Sequence, residues 1–141
     1  MVSPARVALF KDTYQRLTAQ SLDSLHDLYS AEVVFEDPFH RVEGLAALRR
    51  YFEALYREVR SCTFAFEREW VDGDHVMLLW TMSLQHPRLN GGLLIRVPGT
   101  THLRFDEKVV YHRDYFDGGA VLYEHVPLIG FLVRAVKRRM S

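Results

Sequence analysis

An α+β fold, with helices first and a mainly antiparallel sheet after them, follows from three observations on this sequence. Apolar residues recur at helical spacing as far as Val59, and from Phe64 onward they alternate at the spacing of strands. The alternating runs are separated by turn-forming groups, Asp72-Gly73-Asp74, Asn90-Gly91-Gly92 and Asp106-Glu107. Helices gathered before an antiparallel sheet pack on one of its faces.

Taken in order, Ser3 and Pro4 supply an N-cap and a first helical residue, and Val7, Phe10, Tyr14 and Leu17 form the buried stripe of the first helix. Ser21 opens a second, short helix marked by Leu22, Leu25 and Leu28. Val33 to Glu36 reads as a brief strand. Pro38 disfavours a helical Asp37 and leaves that carboxylate at an extended position. Glu43-Gly44 opens a third helix whose stripe is Leu48, Tyr51, Phe52, Leu55 and Val59. Phe64, Phe66 and Trp70 share one face of the next strand, and a tight hairpin leads to Val76 to Gln85. Met77, Leu78, Leu79 and Trp80 are apolar on both faces, which predicts cover by helices on one side and by a second subunit on the other. Leu93 to Phe105 follows, interrupted at Pro98-Gly99, and Lys108 to Phe116 completes the sheet. Past Gly118-Gly119 a helical extension broken at Pro127 carries the stripe Leu128, Ile129, Leu132, Val133 and Val136, which predicts burial on the domain's own core.

With 141 residues, 48% of them hydrophobic, the chain supports one core and starves two. The expected organisation is a single domain over 1–141, with its core at 5–117 and an extension at 118–141. Eighteen cations balance eighteen anions, so no global charge favours nucleic acid. Cys62 is the single cysteine, which excludes an internal disulfide and a cysteine-built zinc site and points to a reducing, cytoplasmic setting. Ser3-Pro4 reads as folded protein rather than a signal peptide. Val126 to Val136 is too short and too interrupted to span a bilayer, so no integral membrane association is expected. From His125 to Ser141 there are four cations and no acidic residue. That segment reads as a helix end complementing its own dipole and packing on the body or on a partner, with interfacial anchoring as the alternative.

Two runs place carboxylates among apolar and aromatic neighbours, where an ionised group is costly unless paired or used: Val34-Phe35-Glu36-Asp37-Pro38 and His112-Arg113-Asp114-Tyr115-Phe116-Asp117. Alternation puts His112, Asp114 and Phe116 on one face and Tyr111, Arg113 and Tyr115 on the other, without saying which faces inward. Structural roles compete with chemical ones. Asp37 can anchor the turn at Pro38, His112 and Asp114 can form an internal pair, and Arg113 can pair with Glu67 or Glu69. Tyr51 and Trp80 can be plain core, and Cys62 a small buried apolar group. Asp37, His112 and Asp114 are too few and too dispersed to predict a metal site, and nothing in the sequence asks for a cofactor.

The order of elements, Glu36-Asp37-Pro38 after the second helix, and the Arg-Asp-Tyr-Phe-Asp run on the last strand resemble the nuclear transport factor 2-like superfamily over residues 5 to 117, and within it bacterial SnoaL-like proteins. The resemblance implies a conical α+β fold, commonly dimeric, shared by ketosteroid isomerases, SnoaL-like cyclases, limonene epoxide hydrolases and non-enzymatic modules. It places Asp37 where the isomerases carry their general base, a system the general literature of pKa tuning treats as a type case. It puts Thr13 where their oxyanion-hole tyrosine stands, with Tyr14 turned by about 100° around the helix, and Thr101 where their protonated aspartic acid stands. Steroid isomerisation is therefore not expected. It also turns His112, Asp114 and Phe116 into the cavity. Asp114 matches an acid/base aspartate of the epoxide hydrolases, whose other two members, an arginine and an aspartate on an earlier strand, have no match in Val76 to Gln85.

The resulting expectation is an apolar cone with Asp37, Asp114 and His112 as catalytic residues. Tyr14, Tyr51, Trp80, Thr101, Leu103, Phe105 and Phe116 would form the ligand-binding wall. The ligand would be a small hydrophobic molecule and the reaction a proton transfer of isomerase, cyclase or epoxide-hydrolase type. The alternative is a non-catalytic homodimeric binding or interaction module.

Overall fold

The computed structural model describes residues 1–121 and 129–140 of the chain. Helix α1, Pro4–Arg16, begins where Ser3 accepts a hydrogen bond from the Arg6 amide at 3.3 Å, with proline at the first helical position. A 3-10 turn at Leu22–Ser24 runs into the single turn α2, Leu25–Leu28, and straight into strand β1, Tyr29–Glu36. The second helix is thus shorter than its spacing suggests, and the first strand starts four residues earlier. Strand β2, Arg41–Glu43, folds back antiparallel on β1. Helix α3, Leu45–Glu58, starts after Gly44, whose φ of 89° suits glycine.

Strands β3 (Ser61–Asp72), β4 (His75–Gln85), β5 (Ile95–Asp106) and β6 (Lys108–Phe116) form an antiparallel meander. β1 then pairs with β6 in parallel, giving the order β2-β1-β6-β5-β4-β3. Helices α1 and α3 cover one face, and the core between them contains Val7, Phe10, Leu48 and Phe52 from the helices and Val33, Leu78, Trp80, Leu103 and Val109 from the strands. The fold is α+β, as the change of period predicts. The chain continues into α4, Gly118–Val121, and α5, Ile129–Arg139. No helix among the described residues is long and apolar enough to cross a membrane.

Several local readings are corrected. A bulge lies between Phe66 and Arg68, so Phe66 pairs with Trp80 but Trp70 pairs with Met77. One extra residue reverses the side-chain phase. Trp70 therefore leaves the face of Phe64 and Phe66 and is 53% exposed. Glu69 turns instead to Lys11 of α1, at 2.5 Å. Strand β5 runs unbroken through Pro98-Gly99, because β6 ends opposite Gly99 and leaves Pro98 no β6 partner that needs its missing N–H. Gly99 is needed for a different reason: a Cβ there would overlap the Trp80 indole. β4 is apolar on both faces, as its sequence predicts: Val76, Leu78 and Trp80 are buried in the core, and Met77 and Leu79 are half-buried on the opposite, apolar face. In the extension, Leu132 and Val136 are 57% exposed rather than packed on the core. Pro127 and Leu128 lie outside the described residues.

Candidate active site

β1 and β6 run side by side in parallel, with Phe35 opposite His112 and Glu36 opposite Arg113. The same register brings Asp37 level with Asp114 just past the end of β1. Both residues line one cavity of about 120 Å³ between the sheet and α3. The rest of its wall is mostly carbon: Phe35, Phe39, Phe52, Leu55, Phe64, Met82, Leu84 and Phe116, with Tyr14, Tyr51, Tyr56 and Cys62. Tyr111, Arg113 and Tyr115 take the outer face. Arg113 meets Glu36 of β1 at 3.5 Å, not Glu67 or Glu69, because β1 and not β3 is the neighbour of β6.

The two carboxylates have different surroundings. Asp37, its side chain 6% exposed, accepts at Oδ1 from the amides of Phe39 (2.8 Å) and His40 (2.7 Å), closing the turn that Pro38 begins. Its Oδ2 accepts from the Tyr51 hydroxyl. Three of about four lone-pair sites on a carboxylate are thus committed to structure. Burial, and next the bond to Asp37, push the Tyr51 phenol far above the ordinary tyrosine range, so it remains a neutral donor.

Asp114 is held on one oxygen. Its Oδ1 accepts from Thr101 Oγ1 at 2.5 Å and faces His112 Nε2 at 2.7 Å. The Trp80 indole N–H donates to Thr101 Oγ1 at 2.7 Å, which directs the threonine proton to Asp114. Among the described residues no hydrogen-bonding partner reaches Oδ2. Behind Asp114 lies His112, 1% exposed and ringed by Phe10, Tyr14, Tyr29 and Phe35. Its Nδ1 meets the Tyr29 hydroxyl at 2.7 Å, and Tyr29 meets the Tyr14 hydroxyl at 2.5 Å. With Asp114 ionised, Nε2 carries the imidazole proton, Nδ1 accepts from Tyr29, and Tyr29 accepts from Tyr14. Burial first, then the neighbouring phenol, pushes Tyr14 well above its ordinary range, and burial does the same for Tyr29. Both stay protonated and their protons point along the chain.

Eight of the ten residues singled out in sequence border the cavity or the small recess beneath it: Asp37, Tyr14, Tyr51 and Phe116 with Asp114 in the cavity, and Trp80, Thr101 and His112 with Tyr14 and Asp114 in the recess, so that only Leu103 and Phe105 of the ten stand apart. Leu103 is wholly buried in the core, and Phe105 borders a surface hollow near Met1 and Val2. Tyr14, not Thr13, is the inward residue of α1, buried to 6% exposure. Sequence reading misses Tyr29, because the irregular pairing between Tyr29 and Val34 hides it from any alternation. Among the described residues no group of three or more His, Cys, Asp or Glu is placed to hold a metal ion.

Comparison with known proteins agrees with this architecture. A protein from Catenulispora acidiphila with a ketosteroid isomerase-like fold, solved in complex with trimethylamine, superposes with a TM-score of 0.73 at 17% identity, over 86% of this chain and 92% of that one. A protein from Jannaschia sp. named as a SnoaL-like polyketide cyclase gives 0.73 at 18% identity, over 86% and 94%. AclR from Streptomyces galilaeus, named as a hydroxylase, gives 0.66 at 21% identity, over 84% and 92%. At such identities these likenesses show the fold alone. No functionally curated protein matches the sequence. The model of the SnoaL-like domain matches residues 10–112, from the inward face of α1 to the buried histidine of β6, and the chain belongs to that family.

Proposed function

We propose that this protein is an acid/base catalyst acting on a small hydrophobic carbonyl compound, with Asp114 as the group that takes and returns the proton. One observation carries the reading: Asp114 lines a cavity whose wall is mostly carbon, and among the described residues its hydrogen-bonding partners, Thr101 and His112, reach Oδ1 only. A base so placed contributes about 10² to 10⁴ in rate. That suffices for a carbon acid already activated by neighbouring carbonyls.

Hydrogen-bond polarity narrows the reaction further. Tyr14 donates toward Tyr29, Tyr51 donates to Asp37 and Tyr56 donates to Cys62, so none of the three cavity phenols offers its proton to a developing oxyanion. The substrate must therefore delocalise its own negative charge, as a β-dicarbonyl does. This favours enolisation of cyclase or isomerase type over the steroid reaction. Asp37 shapes the wall and orients Tyr51, and His112 holds Asp114 in its rotamer. The cavity compares with the roughly 150 Å³ that encloses a benzene ring, so it takes the reacting end of a ligand and leaves the remainder at the mouth beside Phe39 and Phe116.

Turnover of a panel of cyclic ketones, β-dicarbonyls and epoxides tests the reading. Activity on the activated carbonyls that disappears in Asp114→Asn supports it, and activity unaffected by that change refutes it.

A second reading rests on the outer sheet face, where Trp70 and Tyr115 are 53% and 45% exposed beside half-exposed Met77 and Leu79. A homodimer through that face, with the cavity serving binding only, would sediment as two copies and show no turnover with any of the panel.

A further inference from the structure

The described part of the extension presents an apolar stripe to solvent. Leu132, Val136 and Met140 are 57%, 57% and 81% exposed. Four-residue steps turn a helix by only about 40° each, so the three side chains form one continuous band along α5. Among its other described side chains are the cations Arg134, Lys137, Arg138 and Arg139, in a stretch, Ile129–Met140, without a single Asp or Glu. All four are exposed.

We infer that α5 docks on an anionic lipid surface, with Leu132, Val136 and Met140 entering the headgroup boundary and Arg138 and Arg139 meeting lipid phosphates. Charge complementarity selects this occupant. An apolar band bordered by cations, on a helix too short to span, is the pattern of an interfacial helix. A second copy of this chain, carrying no net charge overall, offers no comparable anionic field. The placement of α5 gives the docking a direction. Lys137 pairs with Asp117, the residue immediately after Phe116 of the cavity wall. A docked α5 would therefore hold the cavity mouth close to the bilayer. Entry of a substrate from the lipid rests on the catalytic reading above; the docking itself does not.

Co-sedimentation of the full-length protein with vesicles of phosphatidylglycerol alone and of phosphatidylcholine alone tests the inference without any substrate. Binding to the anionic vesicles should exceed binding to the neutral ones by about tenfold or more and weaken as salt is raised. Arg138→Gln with Arg139→Gln should lower the anionic partition by about tenfold or more, and Leu132→Gln with Val136→Gln should lower it as well. All four sites are exposed, so an unchanged thermal midpoint verifies that the variants fold. Equal partition into both vesicle types, or into neither, overturns the inference. So does a chain that self-associates without binding vesicles and becomes monomeric in the Leu132→Gln, Val136→Gln variant, which would assign the band to a second copy.

Discussion

Asp114 and Asp37 lie level on adjacent strands, yet their neighbours give them opposite tasks. Asp37 Oδ1 accepts two amides and so belongs to the turn, whereas Asp114 lines the same cavity and, among the described residues, is held by side chains at Oδ1 only. In Asp114→Asn the amide oxygen still accepts from Thr101 and His112, so the fold survives while the base proposed above is lost. Turnover should fall by about 10² to 10⁴, measured as kcat/KM on any substrate the panel yields. Tyr29 joins His112 to Tyr14 inside the core. Tyr29→Phe leaves the imidazole Nδ1 and the Tyr14 hydroxyl without their buried partner, and should cost about 1 to 3 kcal/mol of stability. Urea denaturation checks this, and an unchanged unfolding free energy would mean that the chain of phenols does not support the histidine. Asp37 and Asp114 were legible as candidates because proline and strand alternation mark them in the sequence. Their division of labour was not, because it depends on which amides and side chains reach each oxygen.

Among the elements, β3 and β5 show how one residue sets a face. The bulge at Glu67 sends Trp70 outward and Glu69 toward α1, reversing the alternation read from sequence. No turn residue marks that bulge, so nothing local announces it. On β5, Gly99 leaves room for the Trp80 indole, which in turn donates to Thr101. Gly99→Ala should overpack the strand crossing and destabilise the protein by about 1 to 3 kcal/mol, read from the thermal midpoint and the tryptophan fluorescence. An alanine accepted without loss would show that Trp80 has another rotamer available. Helix α1, by contrast, was readable at its start, and its stripe of Val7, Phe10 and Tyr14 is buried as its spacing predicts. Its Ser3 cap and Pro4 are local signals, and Ser3→Ala should cost about 1 kcal/mol in the same assay.

At the scale of the whole molecule, the buried phenols and thiol make the fold sensitive to alkali. Burial, with the Asp114 charge second, pushes the Cys62 thiol from 9.0 to about 12, and burial raises Tyr14, Tyr29, Tyr51 and Tyr56 above their ordinary 10.0. Each group ionises more easily in the unfolded chain, which then binds fewer protons than the native state, so stability falls as pH rises. The contribution is complete below about pH 9 and declines above it. Denaturant midpoints measured from neutral to strongly alkaline pH should be level at first and then drop, and a level profile throughout would refute the burial of these groups. By itself the sequence determined the change from helices to an antiparallel meander, the turns between its strands, the Ser3 cap and the carboxylate-bearing runs, though not the short β2, because periodicity, proline, glycine and capping chemistry act over a few residues. Tertiary structure alone decided that β1 joins β6 in parallel, that Tyr29 stands behind His112, and that Thr101 and His112 both hold Oδ1 of Asp114. Those facts come from contacts between segments distant in the chain, where no local spacing records the partner.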